Sequence, residues 1–204
     1  MLKVYVQFSR YNKDQSLKSQ SRKKLSRSFV KNFLMQLANH LSTGFGTNAM
    51  IDTLLTSQTN QFGGFEAWHS GGNADFSSNV DYIYLGYQTA ARKGIIVGSG
   101  VGAVAMTDAY MGTIINNGTD SGYLEYLSCS VSDYTESDPN ASFILERFLR
   151  NGSGDTVTIN EVGVVIGDAY AYRTFMIIRD LVSPAETVAD GEYLKITYTF
   201  QIEA

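Results

Sequence analysis

Residues 94–111 read GIIVGSGVGAVAMTDAYM, and their spacing is the one most suggestive of chemistry in the chain. Three β-branched residues, Ile95, Ile96 and Val97, run into Gly98-Ser99-Gly100-Val101-Gly102-Ala103. That is G-x-G-x-x-A directly after a strand, and Asp120 lies about twenty residues on, where a dinucleotide fold places its ribose-binding acid. Such a turn binds pyrophosphate only when it opens a helix whose N-terminal amides face the anion. The segment that follows, VAMTDAYMGTIINNG, has no sustained apolar face and soon meets Gly112 and Gly118. The nucleotide reading fails on that context, and no cofactor is expected. Gly98, Gly100 and Gly102 are instead expected to supply positive φ in a turn or bulge.

Nucleophilic and metal chemistry have less to stand on. The two histidines are His40 and His69, and no G-x-S-x-G turn stands before a helix. H-E-x-x-H, C-x-x-C and EF-hand spacings do not occur in the chain. The run DYTESDPN gathers Asp133, Glu136, Asp138 and Asn140, oxygen ligands of the type calcium takes, but its spacing is that of a turn. The single cysteine, Cys129, sits in the strand-like run YLEYLSCSVS and reads as a small buried hydrophobe. No catalytic residue and no metal ligand is nominated.

Two groups of residues fit binding better than catalysis. Phe65, Trp68 and His69 stand in a loop flanked by Gly63, Gly64, Gly71 and Gly72, with Trp68 the only tryptophan. An exposed aromatic there would stack on a sugar or anchor a partner; a buried one would plug the core edge or a subunit contact. The second group is electrostatic. Residues 1–50 carry nine Lys or Arg against one acid, a net +8, while the remainder carries seven basic and nineteen acidic residues, a net −12. Arg22, Lys23, Lys24 and Arg27 concentrate the positive end within the serine-rich segment 16–27. That segment is expected to dock on an acidic face of a neighbouring copy, or to meet DNA.

The elements that must carry these residues are mostly strands. Leu2, Val4, Val6 and Phe8 alternate along one face, and Leu194, Ile196, Tyr198, Phe200 and Ile202 do so near the C-terminus. Further strand-like runs lie at 80–86, 93–98, 122–135, 142–151, 155–167 and 170–180, separated by NNGTDSG, SDPN, NGSGD and ADGE. Residues 10–27 lack apolar periodicity and read as an exposed basic loop or arm. Leu25, Phe29, Phe33, Leu37 and Leu41 repeat every fourth residue, which predicts one amphipathic α-helix over about 26–41. Its polar face is neutral, and no run of apolar residues is long enough to span a bilayer, so no membrane contact is expected. Residues 43–79 are rich in Gly, Ser, Thr and Asn and read as a long loop region. The whole is a mainly β chain: one antiparallel β-sandwich domain over 1–204, jelly-roll-like or Ig-like, with a single helix near the N-terminus.

Several phrases then resemble a known family. SRSFVKNFL, KGIIVGSGVGAVAMTDAYM, NGSGDTVTINEVGVVIG and RTFMIIRDLVSPAETVADGEYLKITYTFQI are similar to segments of tailed-bacteriophage virion structural proteins. The resemblance covers about residues 22–41 and 92–202; the Trp68 loop and the serine-rich basic stretch have no counterpart in it. It implies a non-enzymatic virion component, assembled in many copies in the host cytoplasm. A place in the tail tube, a tail-associated role, capsid decoration and a head fibre all stay open. Identical subunits and other virion proteins are the implied partners, with no small-molecule substrate. The rival reading is a carbohydrate- or receptor-binding sandwich using the loop of Phe65, Trp68 and His69.

Overall fold

The structure, a computed structural model, describes residues 1–26, 29–31, 33–34, 50–51, 57–58, 93–167 and 174–203. Twelve strands run through them: β1 Leu2–Tyr11, β2 Leu17–Gln20, β3 Lys24–Ser26, β4 Met50–Ile51, β5 Ser57–Gln58, β6 Gly94–Gly98, β7 Glu125–Val131, β8 Thr135–Ser137, β9 Asn140–Arg150, β10 Val157–Gly167, β11 Thr174–Val188 and β12 Tyr193–Glu203. The protein is mainly β, and every strand pairing is antiparallel.

Seven strands form the larger sheet, ordered β2-β1-β12-β9-β7, with β3 beside β2 on β1 and β8 beside β7 on β9. Its centre is the β1–β12–β9 triplet, where strict alternation sets the register. Val4 faces Phe200, Val6 faces Tyr198 and Phe8 faces Ile196, while Leu194 faces Leu149. These side chains point inward along with Leu145, and polar neighbours such as Lys195 and Thr197 take the other face. In the smaller sheet, β11-β10-β6, all five residues of β6 are buried. A short continuous apolar run of that type requires cover on two sides. The two sheets share one hydrophobic core, in which Ile95, Val97, Val162, Val164, Met176 and Ile178 join the β1, β9 and β12 side chains.

Polar stitches hold the sheets together at both margins. On one side Arg147 of β9, fully buried, donates through Nη1 to the carbonyls of Lys93 and Ile95 at 2.8 and 3.0 Å and lies 4.7 Å over the Tyr126 ring. The Tyr126 hydroxyl of β7 donates to Ile115 O at 2.8 Å and accepts from Val97 N–H of β6 at 3.2 Å. Burial pushes that phenol's pKa up and the Arg147 pKa down. On the other side Asp180 of β11 accepts from the Tyr198 hydroxyl of β12 at 3.0 Å and from Ser26 of β3 at 3.1 Å. Cys129 is buried, as its strand context implied, and accepts from Ile95 N–H at 3.4 Å.

Two sequence expectations are corrected. Residues 10–26 are not a free loop or arm. β1 continues to Tyr11, a tight turn closed by Asn12 and Ser16 reverses the chain, and β2 and β3 then lie along β1. An edge row exposed on both faces has no reason to show apolar periodicity, so its order comes from backbone hydrogen bonding and is invisible in composition. The helix expected over 26–41 is also not seen among the described residues. Ser26 lies in β3, Phe29 forms a bridge with Ile178 of β11, and Val30 N–H donates to Ile177 O at 3.2 Å. Helical backbone among them is confined to Lys31, Phe33 and Leu34. The four-residue apolar spacing was right about burial at Phe29 and Val30, but pairing with the sheet edge overrides helical propensity there. The rest of that segment, with the strand expected at 80–86, lies outside the described residues.

Ile196 is fully buried at the centre of the larger sheet. Ile196→Ala is expected to lower stability by about 2–5 kcal/mol, read as a shift of the urea midpoint at unchanged slope. Acid should weaken the edge row through Glu192, which pairs with Lys18 of β2. Burial pulls the Glu192 pKa upward, but hydrogen bonds from Lys18 and from Ala189 N–H outweigh it and leave it below 4.5. A lowered carboxyl pKa contributes stability that is present above pH 4.5 and lost as pH falls through the folded value. Glu192→Gln should therefore flatten the acid limb of the stability–pH curve, and an unchanged limb would contradict this.

Candidate functional site

The glycine-rich stretch is built around a buried ion pair. Glu161 stands on β10, opposite Gly98 of β6 on one side and Leu181 of β11 on the other. Its carboxylate has no exposed surface. Oε2 accepts from Arg179 Nε at 2.8 Å and Nη2 at 2.6 Å, and Oε1 accepts from Thr113 N–H at 3.2 Å. Arg179 in turn donates through Nη1 to Asp108 Oδ2 at 2.7 Å and Ala103 O at 3.3 Å, and through Nη2 to Gly102 O at 3.1 Å. Asp108 accepts from Ala105 N–H at 2.9 Å, which folds the loop back on itself. Burial would pull the Arg179 pKa down; the hydrogen bonds and charges of Asp108 and Glu161 outweigh it and raise the pKa.

This geometry explains the glycines differently from the expectation of positive φ. Among the described glycines positive φ occurs at Gly94, Gly118, Gly122, Gly154 and Gly191, not at Gly98, Gly100 or Gly102. A Cβ at Gly98 would stand 2.6 Å from Glu161 Oε1, and one at Gly100 would overlap the same oxygen. At Gly100 the carboxylate occupies the place a side chain would need; at Gly98 it shares that place with the Thr113 carbonyl oxygen, also 2.6 Å away. Gly102 is different: a Cβ there meets nothing nearer than Arg179 Nη2 at 3.9 Å. The spacing that mimics a phosphate-binding turn is thus a cradle for an anion the protein supplies itself. With both oxygens engaged by Arg179 and Thr113, the carboxylate serves as an internal counter-charge.

The other sequence-nominated residues divide between the surface and the undescribed segments. Arg22, Lys23 and Lys24 are exposed where the edge row breaks between β2 and β3, with Lys24 donating to Ser183 O. Arg27 lies outside the described residues, as do Phe65, Trp68 and His69 with the 43–79 loop around them apart from β4 and β5, and His40. Asp133, Glu136 and Asp138 do not converge on a site. Thr135–Ser137 forms β8, Asp138–Pro139 makes the turn into β9, and Asn140 Oδ1 accepts from Gln201 at 3.3 Å. The acids instead line the exposed margin opposite the basic one.

Sequence reasoning missed Glu161, Arg179, Asp108 and Arg147. A signal existed for two of them: Glu161 and Arg179 interrupt otherwise apolar strand runs, EVGVV and FMIIR, at positions where a lone charge is costly. A charge inside such a run implies a buried partner, but the partner's identity depends on the register of β10 against β11. Compared with known protein families, with characterised proteins and with solved structures, the chain gives no match.

Gly100→Ala is expected to displace the Glu161 carboxylate and cost about 1–3 kcal/mol, while Gly102→Ala stays within about 0.5 kcal/mol of wild type. Equal sensitivity of both in thermal unfolding would overturn the cradle. Glu161→Gln, which puts a neutral amide in place of the charged acceptor of two Arg179 hydrogen bonds while Asp108 still pairs the guanidinium, should cost about 1–3 kcal/mol.

Proposed function

We propose that the protein is a non-enzymatic structural component of a phage virion, a β-sandwich of the jelly-roll or immunoglobulin type that assembles in many copies. The observation that carries this reading is the placement of Arg22, Lys23 and Lys24. They stand exposed at the junction of β2 and β3, Arg22 and Lys23 in the break and Lys24 paired with Val6 of β1, so a positive surface lies on the sheet edge while residues 51–204 carry a net −12. A fixed surface of one sign beside a body of the other favours contacts between unlike faces of identical copies. The sequence resemblance to tailed-phage virion proteins supports the same reading. So does the use of the buried charges: Glu161, Arg179 and Asp108 spend their bonding on one another and on the Gly-rich loop.

Electron microscopy of the purified protein tests the proposal directly: rings, tubes or filaments at low salt are expected, and particles of single-chain size at every concentration would overturn it. Neutralising Arg22, Lys23 and Lys24 to Gln should raise the concentration needed for assembly, and 0.5–1 M salt, where the Debye length shrinks to roughly 3–4 Å, should do the same. If the three residues face DNA instead, the variant will assemble normally and lose a salt-dependent affinity for duplex DNA.

A further inference from the structure

We infer that the larger sheet continues from one copy of the chain into the next, with the basic edge row 17–26 of one copy seated against the acidic edge segment 130–138 of its neighbour. The inference rests on the self-assembly just proposed and names the two surfaces that meet. Both are outer rows of the same sheet, and each is interrupted in the same way. On one side β2 and β3 lie along β1 with a break at Ser21–Lys23; on the other β7 and β8 lie along β9 with a break at Ser132–Tyr134. Among the described residues no strand pairs with the outer side of either row. An open strand edge presents unsatisfied amide and carbonyl groups and is a template for a further strand.

The two edges are complementary in charge and alike in apolar content. Lys18, Arg22, Lys23 and Lys24 stand on the first, Asp133, Glu136 and Asp138 on the second, and all are exposed. Between them each row exposes large apolar side chains to solvent: Leu17 and Leu25 on the basic row, Val131 and Tyr134 on the acidic one, the last at 65%. The rows are also level. The cross-strand line through Lys24 runs by Val6, Tyr198 and Leu145 to Val131, two residues from Asp133. Lysines on an edge normally prevent pairing, and here they do prevent a basic row from meeting its own kind. Opposite an acidic row the same lysines attract. A two-fold dimer through either edge would set like charges face to face, so the contact is head-to-tail and propagates. The five rows alternate in direction across the sheet, so the first and fifth run the same way, and copies related by rotation bring them together in parallel.

The test is an exchange of charge. Arg22→Glu with Lys23→Glu, and separately Asp133→Lys with Glu136→Lys, should each raise the concentration for half-assembly about tenfold or more in sedimentation velocity. The protein carrying all four substitutions, in which the charges at Arg22 and Lys23 have changed places with those at Asp133 and Glu136, should recover assembly relative to either double variant. Because all four positions are exposed, each variant should unfold thermally as the wild type does, and an equimolar mixture of the two double variants should co-assemble. Double variants that assemble like wild type, or a fourfold variant and a mixture that both fail to recover, overturn the edge contact while leaving self-assembly standing. A wild-type protein that stays monomeric in the same low-salt runs overturns both.

Discussion

The smaller sheet depends on a single electrostatic constraint. An ionised carboxylate taken wholly out of water must be met by a counter-charge and by hydrogen-bond donors on each oxygen, because the alternative is a large desolvation cost. Glu161 meets both conditions through Arg179 and the Thr113 amide. Those partners come from β11 and from the loop after β6, so satisfying one carboxylate ties three separate stretches of chain into one arrangement. The loop's two crowded glycines, its fold-back through Asp108 and the carbonyls of Gly102 and Ala103 all follow from giving that ion pair room and donors.

The margins between the sheets obey the same logic with different groups. Arg147 is held by backbone carbonyls and the face of Tyr126, and Asp180 by the hydroxyls of Tyr198 and Ser26. Each is a long or polar side chain that reaches from one sheet to a main-chain or side-chain group of the other. Apolar contact is non-directional and tolerates sliding; a fully satisfied buried polar network does not. The relative placement of the sheets is therefore specified by these few residues, with the shared core supplying most of the driving force.

With charge inside the protein committed to internal pairs, charge available for recognition lies at the sheet margins. The basic row is ordered by main-chain bonds to β1, by the Lys18–Glu192 ion pair and by the Arg10 Nε hydrogen bond to Ser19 Oγ. It is accordingly a surface presented in a fixed shape, at little ordering cost on contact. That property suits the proposed subunit, which would repeat the same contact many times.

Much of the strand framework was legible in the chain. β1, β6, β9, β10 and β12 were readable because alternation and short apolar runs with turn residues between them are local patterns, and burial of Cys129 followed from its strand context. The row of β2 and β3 was not, since a strand exposed on both faces carries no periodicity. Nor was the pairing of Ser26 and of Phe29 with strands, where the partners that won, β1 and β11, lie up to about 150 residues away in the chain. By itself the sequence determined that this is a β protein with a chemically suggestive glycine spacing and a polarised charge. Tertiary structure alone decided what those glycines face, which charges are buried together and on which edges the remainder stand. The physical reason is that periodicity is set by each strand's own two faces, whereas a carboxylate's partner is set by register between strands.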